Sequence, residues 1–286
     1  MSTSTSVPPT TSYAPVAGPP ARFRDLIAAE WIKMRSLRST PWTLALTTVF
    51  VIGSAAAAAL AEYDNIADSG PSTRQPHDFL AFTAYPPAGY WLLMLVAGAI
   101  GASTVVSEYS SGLIRTTTAA VPARGGVVLA KAVVTATLWT AVGTVISFGS
   151  FLVSQAILDG RHAGVPITHP GVARAMVASA LLAPVCALIG LGLGVLIRHS
   201  ATTMITSVFT LLMFPTLFSQ SELWSADINH AMPVTAWKRL VQNWPPDPDS
   251  LAYTATATVP GSWIVYTVWP LVAVVLAVVV VRRRDV

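Results

Sequence analysis

Residues 261–284 read GSWIVYTVWPLVAVVLAVVVVRRR. Twenty-one residues without one charged side chain end abruptly on Arg282, Arg283 and Arg284. An α-helix rises 1.5 Å per residue, so about 20 apolar residues carry it through a hydrocarbon core about 30 Å thick. This stretch therefore reads as a transmembrane helix, and five runs like it lie upstream, at 42–61, 88–106, 132–153, 175–197 and 201–218. None contains Asp, Glu, Lys or Arg. The expected fold is an all-α membrane protein with six transmembrane helices spread over residues 42–281.

The composition agrees. Of 286 residues, 53% are hydrophobic and only 10% are charged, against about 25% charged in a soluble domain. Arginine outnumbers lysine 14 to 3 among 17 basic residues, and with the Ala-rich spans this suggests a bacterial genome of high GC content. The excess of basic residues sits beside the apolar runs, which points to membrane topology rather than nucleic-acid binding. The lone cysteine, Cys186, lies inside a span, so neither an intramolecular disulfide nor a CxxC site is available.

Six spans put residues 1–41, 107–131, 198–200 and 282–286 on one side. That side carries 12 of the Lys and Arg residues, and the other side carries Arg74, Arg161, Arg174, Lys238 and Arg239. The positive-inside rule places the richer side, with both termini, in the cytoplasm. Residues 1–21 are rich in Ser, Thr and Pro without a charge, the pattern of a disordered tail. The first apolar run begins too late for a signal peptide and reads as an internal anchor.

Two cytoplasmic stretches flank the membrane. On a helical wheel, residues 22–38 place Phe23, Leu26, Ile27, Trp31, Met34 and Leu37 on one face, which predicts an amphipathic helix along the membrane surface. Glu30 falls in the middle of that face and needs a partner there. Lys33 and Arg38 are its neighbours on the wheel, and Arg115 or Lys131 can reach it from elsewhere. The second stretch, 107–131, carries Glu108, Arg115, Arg124 and Lys131. Ser110 or Ser111 is placed to cap a short helix there, with Pro122 ending or restarting it. It reads equally as a docking surface for a soluble partner or as a charged turn that sets topology.

On the other side, residues 219–260 form the longest loop, with short helices expected near 222–231 and 234–243. Its tryptophans, Trp224, Trp237 and Trp244, suggest packing on the membrane or a lid over an exit. Pro184, Pro215 and Pro270 lie within spans, as hinges or as static kinks. Gly190 and Gly194 form a GxxxG pair for close helix packing, within this chain or between two copies.

No GxxxxGK[ST] phosphate loop, HExxH or GxSxG motif occurs, and His77, His162, His169, His199 and His230 are scattered through loops. The expectation is therefore no catalytic residue, no metal and no cofactor in this chain. Ion-coupled carriers usually hold charges within their spans, and these spans have none. If the chain transports, its energy comes from outside the membrane region.

The chain resembles the permease subunits of bacterial ABC transporters of the ABC-2 export type. The resemblance runs over residues 22–286 and rests on the amphipathic segment with Glu30, Lys33 and Arg35 leading into RSTPWTL, on SEYSSGLIRTTTAAVPARGGVVLAKAVV after the second span, and on six spans with a long outer loop before the last. It implies a plasma-membrane permease that pairs with a second permease protomer and binds separate ATP-binding subunits, which alone hold ATP. It also implies that Glu30, Lys33 and Arg35, together with Glu108, Gly112, Arg115, Pro122, Arg124 and Lys131, contact or couple to the ATPase. The alternatives are a non-transporting scaffold or sensor subunit and, further off, an ion-coupled carrier.

Overall fold

The computed structural model describes residues 22–36, 39–68, 79–112, 124–218, 222–244 and 257–283. They form helices α1 (Phe23–Ser36), α2 (Ser39–Asp68), α3 (Ala81–Ala84), α4 (Pro87–Ser110), α5 (Arg124–Asp159), α6 (Val172–Ile197), α7 (Ser200–Val208), α8 (Leu223–His230), α9 (Pro233–Val241) and α10 (Val259–Arg283). The described residues contain no strand. Six segments are long and apolar enough to cross a membrane: α2, α4, α5, α6, the segment 200–217 that begins with α7, and α10.

The helices outrun the apolar sequence that announces them. α5 has 36 residues, about 54 Å at 1.5 Å per residue, whereas its apolar run covers only 132–153. Arg124 and Lys131 therefore belong to the third spanning helix rather than to a loop before it. At the end of α4, Ser111 is the C-cap, and the residues that would form the short helix expected after it lie outside the described residues. Gly112 follows with φ 72°, the left-handed conformation that glycine adopts most cheaply just past a helix end.

α6 is the centre of the bundle. Its apolar window is 72% buried, against 17% for α10. Small residues let its neighbours reach it. A Cβ on Gly190 would run into the backbone of Gly98 on α4, and one on Gly194 would lie 2.9 Å from the Ala102 carbonyl. On the facing side, a Cβ on Gly101 would meet the backbone of Ala187. The GxxxG pair thus seats α6 on α4 within one chain, which answers the question left open by its spacing. Gly143 of α5 and Ala273 of α10 make similar approaches from other sides. Leu93, Met94, Trp139, Ile146, Leu182 and Cys186 fill the space between these helices. Leu46, Val49, Ile205, Ile264 and Leu271, by contrast, point outward and are exposed, as expected of side chains facing lipid.

The fifth span is irregular. After α7 the backbone widens into a π turn over Phe209–Met213 and tightens into a 3-10 turn over Phe214–Leu217. Pro215 has no N–H to offer the carbonyl a turn below, so regular α-helix cannot continue through it. At the end of the span Asn229 of α8 donates from Nδ2 to the Pro215 carbonyl at 2.7 Å and to the Phe218 carbonyl at 3.0 Å, acceptors that the end of the helix leaves open. Pro184 and Pro270, in contrast, lie inside continuous helices.

α8 and α9 form a cap at the end of the bundle away from α1. The buried side of α9 presents Val234, Trp237, Leu240 and Val241. Trp237 stacks on Tyr90 of α4, with centroids 5.1 Å apart, and donates to Ser179 of α6 at 3.2 Å. Arg174 donates to the carbonyls of Leu240 and Gln242 at 3.0 and 2.6 Å, satisfying acceptors that every helix C-terminus leaves open. Trp224 and Trp244 remain exposed.

Candidate functional site

At the opposite end, four ionic side chains from three helices close into a ring. Lys33 of α1 donates to Glu30 Oε1 at 2.7 Å and to Glu108 Oε1 at 2.9 Å. Lys131 of α5 donates to Glu30 Oε2 at 2.5 Å and to Glu108 Oε1 at 3.0 Å. Each carboxylate thus meets both ammonium groups, and the ring is neutral overall.

Local geometry explains why these residues meet. Glu30 and Lys33 stand three residues apart, so they share one face of α1. Glu108 sits in the last turn of α4, where the helix dipole repels a carboxylate, so its stabilisation must come from the two lysines. Lys131 lies two turns into α5 and is brought beside Glu108 by the antiparallel course of α4 and α5. Only Glu30, Glu108 and Lys131 are sealed, at 4%, 9% and 5% exposure, while Lys33 is half-open at the rim. Burial alone would pull the Lys33 pKa down, but hydrogen bonds and charge attraction from Glu30 and Glu108 outweigh it and hold the ammonium above its ordinary range.

Burying ions is expensive, and a complete ring need not stabilise more than an apolar contact of the same shape. Removing one member is another matter, because it strands a buried charge. What the ring secures is position: it pins α1 to the ends of two spans. Met34 packs beneath it, whereas Phe23, Trp31 and Ile32 remain exposed beside it. The apolar face expected of 22–38 is therefore divided. The part centred on Glu30 meets the bundle, and the rest stays exposed.

Among the residues marked by resemblance, the structure brings Glu30, Lys33, Glu108 and Lys131 together. Three of them are buried against one another, so their side chains do not form an outward docking surface. Arg35 is exposed on α1. Gly112 terminates α4. Arg124 opens α5, with its side chain outside the described residues, and Arg115, Pro122, Leu37 and Arg38 also lie outside them. Gly190 and Gly194 are packing residues. Arg174 and Ser179 did not stand out in sequence as cap residues; Trp237 did, as an outer tryptophan, and it packs on Tyr90 and Ser179 within the chain.

Fold and site together define a multi-pass helical membrane protein whose first helix is clamped by ion pairs to the ends of its second and third spans. No protein-family model matches the chain, and no curated protein matches it.

Proposed function

We propose that this chain is the membrane-spanning permease subunit of an ATP-driven ABC-2 type exporter in a bacterial plasma membrane, with both termini cytoplasmic. The observation that carries the reading is the ring. A helix lying across the ends of two spans and locked to both by buried charge transmits a push along the membrane surface into a tilt of those spans. Coupling to ATP requires a rigid element of this kind with two arrangements. The ATPase subunit, which would bind and hydrolyse the ATP, presses on the exposed side of α1, including Arg35, on the segment joining α4 to α5, which carries Arg115, and on Arg124 at the start of α5. Glu30, Glu108 and Lys131 act inside that linkage rather than at the contact. The substrate passes between this chain and a second permease protomer. The 12-to-5 division of basic residues supports the orientation.

The test is co-purification of the tagged chain from mild detergent, followed by reconstitution and an ATPase assay. A P-loop ATPase recovered in equal stoichiometry, with hydrolysis stimulated by assembly, is the expected result. Glu108→Gln is expected to keep the complex but lose the stimulation. Recovery of the chain alone, or full stimulation in the Glu108→Gln complex, would defeat the proposal. A stable complex with no ATP-dependent solute gradient would instead identify a scaffold or sensor subunit.

A further inference from the structure

A second cationic site lies at the turn between α6 and α7. Arg198 occupies that turn with φ 61°, and its guanidinium lies 4.9 Å from the ring centroid of Tyr109 near the end of α4. Nε and Nη2 are closed off from water, yet neither has a hydrogen-bond acceptor. Guanidinium donors without acceptors are costly in such a place. Beside them begins α7, whose N-cap residue His199 makes no side-chain capping bond. The first N–H groups of α7 therefore add partial positive charge next to Arg198.

The same two helices, α4 and α7, enclose a groove of about 290 Å³. It is open on one side and lined by Leu95, Val96, Ala99, Met204, Ser207 and Val208 among others. All of these but Ser207 are apolar. Ser207 is only 3% exposed, and its hydroxyl has no partner. It lies seven residues into α7, about 10 Å deeper than the helix start.

We infer that this notch binds one anionic phospholipid from the leaflet on the α1 side. The phosphate accepts from Arg198 at the start of α7, an acyl chain lies in the groove between α4 and α7, and Ser207 offers its hydroxyl to an ester oxygen. Three observations converge on that occupant: unspent cationic donors at the start of α7, an apolar groove between α4 and α7 deeper along that helix, and one unpartnered hydroxyl, that of Ser207, within the groove. A free anion would use only the first of these. A second copy of the chain would cover the groove but leave the guanidinium unanswered. The inference requires only that the six spans lie in a bilayer and holds whether or not the chain transports.

The test is native mass spectrometry of the full chain after delipidation, titrated with palmitoyl-oleoyl phosphatidylglycerol or the phosphatidylcholine of identical chains. The expected result is one phosphatidylglycerol per chain, bound roughly tenfold or more tightly than phosphatidylcholine, whose choline cation offsets the attraction of its phosphate to Arg198. Arg198→Gln should erase that preference, and Arg198→Lys should keep part of it. Ala99→Trp, which fills the groove and leaves Arg198 in place, should weaken both lipids. Melting and elution profiles show whether each variant is folded. If Arg198→Gln does not fold, Arg198→Lys and Ala99→Trp still decide. An unchanged preference in Arg198→Gln would overturn the inference, as would an unchanged preference in Arg198→Lys together with unchanged affinities in Ala99→Trp. So would displacement of phosphatidylglycerol by millimolar inorganic phosphate, or a lipid-free dimer as the stable species.

Discussion

Lys131 donates to both carboxylates of the ring from an almost sealed position, so its removal leaves Glu30 and Glu108 repelling each other with only the half-open Lys33 between them. Lys131→Met is expected to destabilise the chain by about 3–5 kcal/mol, read as a large fall in melting temperature in detergent. Replacing Glu30, Glu108 and Lys131 together with apolar residues of similar size should cost far less, because the one charge left, on Lys33, is half-open to solvent. Lys33 governs the behaviour at high pH. Its folded pKa is raised, so the stability it contributes is complete below the ordinary lysine value of 10.5 and is lost as pH climbs through the higher folded value. Melting temperature should therefore decline above about pH 10.5, and Lys33→Arg, which stays charged, should move that decline upward. The need of Glu30 for a partner is legible on a helical wheel, since a carboxylate stands amid apolar neighbours. Which partner it takes is not. Lys33 is three residues away, but Lys131 is 101 residues away, and only the packing of α5 against α1 brings it there.

Among the elements, α6 and α9 carry the sharpest expectations. Gly190→Ala places a methyl group where the backbone of Gly98 already lies and must force α4 and α6 apart. A loss of about 1–3 kcal/mol is expected, measured by chemical or thermal unfolding. A comparable change at Gly53, which has nothing within 4 Å, should be nearly silent. Trp237→Ala should cost about 3–5 kcal/mol and free α9 from the bundle, visible as faster hydrogen exchange over Pro233–Val241 and unaltered exchange in α1. The six spans are legible because each is a long run of apolar residues whatever surrounds it. The irregular end of the fifth span is less so. Pro215 announces a break, but the satisfaction of the last carbonyls by Asn229 depends on α8 folding back over the span. α9 is expected from sequence as a short helix near 234–243, but its docking is not: nine residues are too few to distinguish a helix buried in protein from one lying on lipid.

For the whole molecule, the testable quantity is orientation. The lone Cys186 is fully buried, so the natural chain should be silent toward a membrane-impermeant maleimide. Single reporters can then be added without removing it. Ser36→Cys should react only after cells are permeabilised, and His162→Cys should react in intact cells, because the first lies beside the basic side and the second across the membrane from it. The reverse pattern would invert the topology. Charge counting reaches this expectation without any structure, whereas the arrangement around α6 does not follow from it, since six apolar helices of similar composition can be stacked in many orders.

The ring also imposes an order in time. Glu30 emerges from the ribosome 101 residues before Lys131, an interval of roughly 5–20 s at synthesis rates of about 5–20 residues per second. During that interval two further spans must be made and inserted, and Lys33 alone can hold the carboxylate. The first helix therefore cannot reach its final seat until the third span has arrived, so closure of the ring reports that the first half of the protein has been threaded correctly.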